Sequence, residues 1–412
     1  MPIKTLGAQL FQLISAQLFL HATMAGTRMA APLLMLREGY SPAAVGLLLA
    51  FFGLTQVVLA IPAGRYADRH GLLKPVRLSI MAASLGAALA VVWPIYPVLC
   101  LTALLCGGSA GCAVIALQRH VGRMAAGGAQ LRQVVSWLAI GPAVSNVLGP
   151  VAVGLLIDHA GPAPGSMLGY QAAFALMAIF PWLTWLLLRR VQEAPNSQPI
   201  KTETETETET ETGASLRAWD LLKDRCFAKL MLVNWLVSSC WDVHLLIVPL
   251  IGVERGMNAS AIGAILGAFA LAATGIRVLM PLMAERLQEW AVIAGSMLVT
   301  TAVFAAYPFM PGAWGMAACS VVLGMALGVV QPMVMSTLHQ ITPAHRHGEA
   351  LGLRMMAVTA SSVVVPVLFG SVSALIGSAG VFWVVGAAVG LGSRSAWSLR
   401  DALAARKATQ SL

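Results

Sequence analysis

Long apolar blocks, broken by short Gly, Pro or charged punctuation, set the rhythm of this chain. Six of them lie near Gly7 to Leu36, Pro42 to Ala63, Val76 to Trp93, Pro97 to Leu117, Val134 to Ile157 and Met167 to Leu188. Six more lie near Ala228 to Ile251, Ala259 to Met283, Trp290 to Ala306, Gly312 to Leu338, Leu351 to Ile376 and Gly380 to Trp397, the last interrupted by Arg394. Crossing about 30 Å of hydrocarbon at about 1.5 Å per residue takes roughly 20 apolar residues. Each block is therefore read as one spanning helix, and the pattern predicts an all-α membrane protein of twelve transmembrane helices.

The blocks repeat. Laying the first half on the second without gaps, at an offset of 217 positions, puts Pro32-Leu33 on Pro249-Leu250, Gly39 on Gly256, Ala44 on Ala261, Gly46 on Gly263, Phe52 on Phe269 and Leu54 on Leu271. Ala67 falls on Ala284, Arg69 on Arg286, and Gly107 and Gly111 fall on Gly324 and Gly328. Two parallel six-helix repeats are a common transporter plan, with the solute site between the halves near the midplane. The expected organisation is a six-helix bundle over 1–190, a linker over 191–225 and a second bundle with a short tail over 226–412. The linker contains Thr202 to Thr212, an alternating Thr-Glu tract with no apolar residue, which cannot bury a core.

Composition strengthens the membrane reading. Of 412 residues 58% are hydrophobic and only 10% are charged, more apolar surface than a soluble core could hide. The formal net charge of +9 could suggest nucleic acid, but the positions of the basic residues exclude that partner. All but Arg28, Arg37, Arg255 and Arg277 fall on the side of the N-terminus, the pattern of cytoplasmic loops. Both termini are thus expected in the cytoplasm of a bacterium, with the protein in its inner membrane. No A-x-A cleavage site ends the first block, which reads as a retained helix. The six cysteines show no metal-ligand spacing and read as buried thiols, so neither a metal nor a cofactor is implied.

The connection after the second block reads Gly64-Arg65-Tyr66-Ala67-Asp68-Arg69-His70-Gly71-Leu72-Leu73-Lys74. It resembles the loop signature of the major facilitator superfamily, G-x-x-x-D-R-x-G-x-x-[KR], at each defining position. The resemblance implies two six-helix bundles that alternate between two states, with Asp68 the acidic partner in a conformational lock built from Gly64, Asp68, Arg69, Gly71 and Lys74. The repeat places a reduced second copy at Pro281 to Arg286, where Glu285 and Arg286 stand for Asp68 and Arg69. In the fifth block Gly141-Pro142 is followed by Gly149-Pro150 and Gly154, giving a kinked helix with a closely packing face. This is similar to the G-P-x-x-G-G element of exporters in the drug:proton antiporter families, with Gly154 single rather than paired.

Ionisable residues inside spanning helices cost about 2.5 to 3.5 kcal/mol each on insertion scales, so each is a functional candidate. The first helix has His21 and Arg28, the seventh Asp242 and His244, the eighth Arg277. Arg28 and Asp242 fall at nearly the same depth in helices related by the repeat. Asp242 is read as a proton or substrate group, or as a static partner of a neighbouring cation; Arg28 as an anion binder, or as that partner. Gln331, before Pro332, can bond a solute or satisfy kinked backbone, and Trp241 can line the cavity or face lipid. His244 need not share a face with Asp242 two residues away. Trp93, Trp185, Trp290, Trp314 and Trp383 fit an interfacial belt.

These residues predict a secondary active transporter: a proton-coupled exporter of a small organic molecule, working as a monomer in the lipid bilayer. The acidic residue typical of the first helix in cation-exporting relatives is absent. An alternative is therefore proton-driven uptake or exchange of an anionic metabolite such as a carboxylate or siderophore. A transporter-like sensor would carry a soluble signalling domain. An enzyme is not expected, because no nucleophile elbow, H-E-x-x-H helix or phosphate loop is present.

Overall fold

The computed structural model describes residues 3–124, 137–138, 140–189, 191, 218–283, 288–343 and 346–410. The helices of the first half are α1 (Ile3–Arg37), α2 (Pro42–His70), α3 (Leu73–Val92), α4 (Tyr96–Met124), α5 (Ile140–His159) and α6 (Met167–Leu188). Those of the second half are α7 (Arg225–Glu254), α8 (Ala259–Met283), α9 (Glu289–Ala306), α10 (Gly312–Ile341) and the segment His347–Gln410. That last segment breaks at Gly377, where φ is 73°, so its arms 347–376 and 378–410 are α11 and α12. Among the described residues ten helical segments are long and apolar enough to cross a membrane, the last covering both arms. α1 is not among the ten; its interior carries Gln17, His21, Thr23, Thr27 and Arg28.

The repeat is visible in the backbone. Gly39 and Gly256 both take positive φ, 80° and 66°, at the turns α1–α2 and α7–α8, where a side chain would be strained. Two residues later the next helix is capped by repeat-equivalent side chains: Ser41 Oγ accepts from Ala44 N and Asn258 Oδ1 from Ala261 N. A Cβ on Gly107 would run into the backbone of Phe52, and one on Gly324 into that of Phe269, the repeat partners of each other. Small residues let these helices approach closely where apolar packing alone gives no preference over lipid.

The halves meet along two seams. Gly46 and Gly370 bring α2 against α11, and Gly154 and Gly263 bring α5 against α8. The connections expected on one side gather at one end of the bundle. There Tyr40 stacks on Tyr96 at 5.3 Å, Arg255 donates to the carbonyls of Pro308 and Met310, and Ser378 donates to Glu254. We call this the far end. The Gly64–Lys74 segment marks the opposite, motif end.

Several helices run past their apolar blocks. α2 continues through the motif to His70 and is stopped by Gly71, with φ 77° and its N–H bonded to Ala67 O. The segment expected as a loop is therefore mostly helix: polar residues keep helical backbone until a glycine cap ends it. Lys223 closes a short 3-10 helix, Ala218–Lys223, that leads into α7. The Thr-Glu tract, Glu285 and Arg286 lie outside the described residues.

Candidate functional site

α1 and α7 are repeat equivalents and face each other at the centre of the bundle. Across that interface Arg28 Nη2 donates to Asp242 Oδ1 at 3.2 Å. Asp242 is 4% exposed and takes two further donors from α11: Ser361 Oγ at 2.8 Å and Ser362 Oγ at 3.3 Å. One carboxylate thus holds α1 of the first half to α7 and α11 of the second. Opposite charges in a medium of low dielectric attract strongly, but removing either one strands the other, so the pair is a high-energy joint rather than a passive contact.

A central chamber of about 220 Å³ opens beside the pair, lined by His21, Arg28, Phe52, Gln56, Asn146, Trp241, Phe269 and Ser362 among others. Asp242 stands immediately behind that lining. A second chamber of about 280 Å³ lies toward the motif end, lined by Gln17, Gln118, Asn146, Trp241, Thr274 and Arg277 among others. Asn146, Trp241 and Ala270 belong to both. Together the chambers fall in the range of about 300–1,000 Å³ usual for ligand sites. Arg277 lines the second chamber beside a residue shared by both: its guanidinium lies 5.6 Å from the centroid of the Trp241 ring, and its Nε donates to Gly328 O at 3.2 Å.

The far end closes over the central chamber. Asp158, at the end of α5, caps α8 of the other half, Oδ1 accepting from Ala259 N at 3.1 Å and Oδ2 from Ser260 N at 2.6 Å. Ser260 Oγ returns a bond to Gly154 O at 3.1 Å. At the motif end the described polar contacts lie within a half. Asp68 pairs with Arg119 of α4, and Glu289 accepts from Ser336 and Gln340. Gly64 has nothing within 4 Å of the place a Cβ would occupy. Arg69 and Lys74 are exposed. Among the described residues, the bonds of Asp158 and Ser260 join the halves across the far end, and no such bond is described between the halves at the motif end.

Of the sequence candidates, the structure brings His21, Arg28, Asp242, Trp241 and Arg277 together around the chambers. His244 turns away: its ring stacks on Phe269 at 4.2 Å and its Nε2 meets Ser320 Oγ at 2.9 Å, which also meets Tyr307. Gln331 lines neither chamber and accepts from Arg354. The glycines of α5 serve contact: Gly141 lies on α1 at Ile14 and Gln17, Gly149 on Ala22 and Gly26, and Gly154 on Ala259. Pro142 and Pro150 each line a chamber. Of the belt tryptophans, Trp93, Trp185, Trp314 and Trp383 are exposed.

Ser361, Ser362, Gln56, Asn146, Asp158, Arg119 and Arg354 were not singled out by the sequence. Only Asp158 and the two arginines carry a charge that could have drawn attention.

The Major Facilitator Superfamily model matches residues 13–366 and 230–409. No curated protein matches the chain. Among solved structures, a D-xylose-proton symporter superposes with a TM-score of 0.76 at 15% identity, over 96% of this chain and 98% of that one. A POT family transporter in complex with a thioalcohol-conjugated peptide gives 0.74 at 12% identity, over 96% of both chains. A bacterial homologue of the human lysosomal transporter Spinster, inward-facing and occupied, gives 0.69 at 14% identity, over 99% of this chain and 96% of that one. At these identities the likeness is one of fold. With the twelve-helix repeat, the cavity between its halves and a family match running through nearly the whole chain, this protein belongs to the Major Facilitator Superfamily.

Proposed function

We propose that this protein is a proton-coupled secondary active transporter that moves a small organic solute by alternating access, with Asp242 as its protonation site. The carrying observation is the Arg28–Asp242 ion pair: it is buried, it joins the two halves, and it lies against the chamber a solute would occupy. Protonating Asp242 would release Arg28 and loosen the joint between halves, which ties the proton to both binding and movement. With the basic loops on the cytoplasmic side, the described state opens inward. Asp68 with Arg119, and Gly64 with its free surroundings, then form the gate that closes when the far end opens. Glu285 and Arg286 are assigned to the same gate by the repeat. The α5 glycine and proline pattern supports export as the direction.

The test is solute-triggered proton flux in liposomes holding the purified protein, across a panel of drugs, carboxylates and metal-free siderophores. Flux is expected for a panel member in the wild type and not in Asp242→Asn. Solute transport that ignores the pH gradient in both proteins would refute proton coupling. A second reading, transport of an anionic metabolite, is favoured by a specific feature of the chambers: among the described residues no carboxylate lines either one.

A further inference from the structure

The central chamber is lined by the Arg28 cation and by no carboxylate, its side-chain acceptors being the uncharged oxygens of Gln56, Asn146 and Ser362. His21 and Arg28 lie seven residues apart on one face of α1 and both line it. The His21 Nδ1 and Arg28 Nε atoms are buried without a partner. Gln56 Nε2 finds only the thioether of Met24, at 3.4 Å, a weak acceptor. Beyond Trp241, Arg277 brings a second guanidinium, which has no ion-pair partner among the described residues. Arg277 is exposed, so the cost falls on the buried Arg28 Nε and His21 Nδ1 left unmatched, and a ligand that supplies anionic oxygens satisfies the Arg28 donor. The same lining includes three aromatic rings, those of Phe52, Phe269 and Trp241.

Resting on the proton-coupled reading, we infer that the solute is a small organic monoanion with an apolar or aromatic body, whose carboxylate replaces that of Asp242 on the Arg28 guanidinium. In the empty protein Arg28 is neutralised by Asp242. When the solute arrives, its carboxylate accepts from the Arg28 donors and, in the His21 tautomer that carries its hydrogen on Nδ1, from that N–H. Asp242 takes up one proton and stays within its two serine hydroxyls as a neutral acid. The Arg28–Asp242 centre then carries the same net charge empty and loaded. One proton and one anion then cross together with no net charge moved, so a proton gradient drives uptake, the direction of the anionic reading, rather than the export that the α5 pattern supports.

The surroundings of Asp242 fit this exchange. α1 presents Arg28 and, two turns away, His21. α11 presents the two serines, with Arg354 two turns toward the motif end. α8 presents Arg277 behind the Trp241 ring, and α10 presents Ser320, occupied by His244. α2 presents uncharged Gln56. On α7 itself Cys240 is buried beside Asp242, and α12 adds no buried charged residue among the described ones. Among the described residues Arg28 is thus the cation in direct contact with Asp242.

The experiment is isothermal titration of the purified protein with small carboxylates such as benzoate, each matched to its amide and its amine, in buffers of different ionisation enthalpy. Expected is binding of a carboxylate at least tenfold tighter than its amide, with uptake of close to one proton, tightening as pH falls. Arg28→Gln should abolish the preference for carboxylate, and Asp242→Asn should bind the anion with no proton uptake. Proton-coupled flux of amides or amines, with no carboxylate bound, would overturn this inference and leave the proton-coupled reading standing. Carboxylate binding without proton uptake would overturn the exchange and that reading together. Binding by no member of the set would overturn the inference.

Discussion

Asp158 should hold the far end shut, and its removal should be read as a shift between two states rather than as unfolding. Its carboxylate, 7% exposed, accepts two backbone N–H groups at the start of α8, at 3.1 and 2.6 Å. Hydrogen bonds to a charged group contribute about 1.5–3 kcal/mol each, and a carboxylate at a helix N-terminus up to about 2 kcal/mol. These contributions overlap, and water solvates the same groups once the seam opens, so we take about 2–3 kcal/mol as the net preference for the sealed state. At about 1.4 kcal/mol per factor of ten, Asp158→Ala shifts the equilibrium roughly 30- to 150-fold. A population sealed about 99:1 would then lie between roughly 3:1 and 2:3. Asp158→Asn keeps one acceptor oxygen and should fall between. Spin labels at Ala163 and Phe309, exposed far-end positions on opposite halves, would report the populations by pulsed distance measurement after the six native cysteines are replaced. A single unchanged distance in folded Asp158→Ala would refute the seal.

The two glycines that mirror each other across the repeat should fail alike. Gly107→Leu and Gly324→Leu each force side-chain atoms into the backbone of α2 or α8, costing about 1–3 kcal/mol by overpacking and lowering the thermal midpoint, whereas Gly275→Ala, which has nothing within 4 Å, should leave it unchanged. Gly64→Leu should also leave the midpoint of this state unchanged yet slow transport, because the motif end must close during the cycle; equal transport rates would remove Gly64 from the gate. Ser320→Ala leaves His244 Nε2 and the Tyr307 hydroxyl without their shared partner, a loss of about 1–3 kcal/mol. Because His244 lines neither chamber, the KM for solute should hold, and a raised KM at unchanged stability would return His244 to the binding site.

The places of the twelve helices were legible because lipid demands a long apolar run for each crossing, and such runs need no knowledge of neighbours. The repeat added the turns and close approaches, since Gly39 and Gly256, or Gly107 and Gly324, answer to the same backbone geometry in each half. Helix ends were less legible. The polar stretch Gly64–His70 leaves the hydrocarbon without leaving the helix, and only the Gly71 cap marks the stop. Within the site, Arg28 and Asp242 stood out because a charge in hydrocarbon is rare and costly. Ser361, Ser362, Gln56 and Asn146 did not, because uncharged polar side chains are tolerated in spanning helices and the pattern does not say which way they face. Asp158 and Arg354 sit near helix ends, where a charge ordinarily meets water or lipid head groups. His244 illustrates the limit of spacing: two residues on a helix turn roughly 200°, so it points away from Asp242 toward Ser320.

Accumulation and exchange of one radiolabelled solute, measured side by side in proteoliposomes bearing wild type or Asp242→Asn, test the central claim most directly. A protein whose coupling runs through the Arg28–Asp242 pair should, as the wild type, accumulate solute against its gradient when a pH difference is imposed. As Asp242→Asn it should keep solute-for-solute exchange and lose that accumulation. If Asp242→Asn still concentrated the solute in response to the pH difference, Asp242 would not be the coupling site, and the ion pair would be no more than a clasp between the halves.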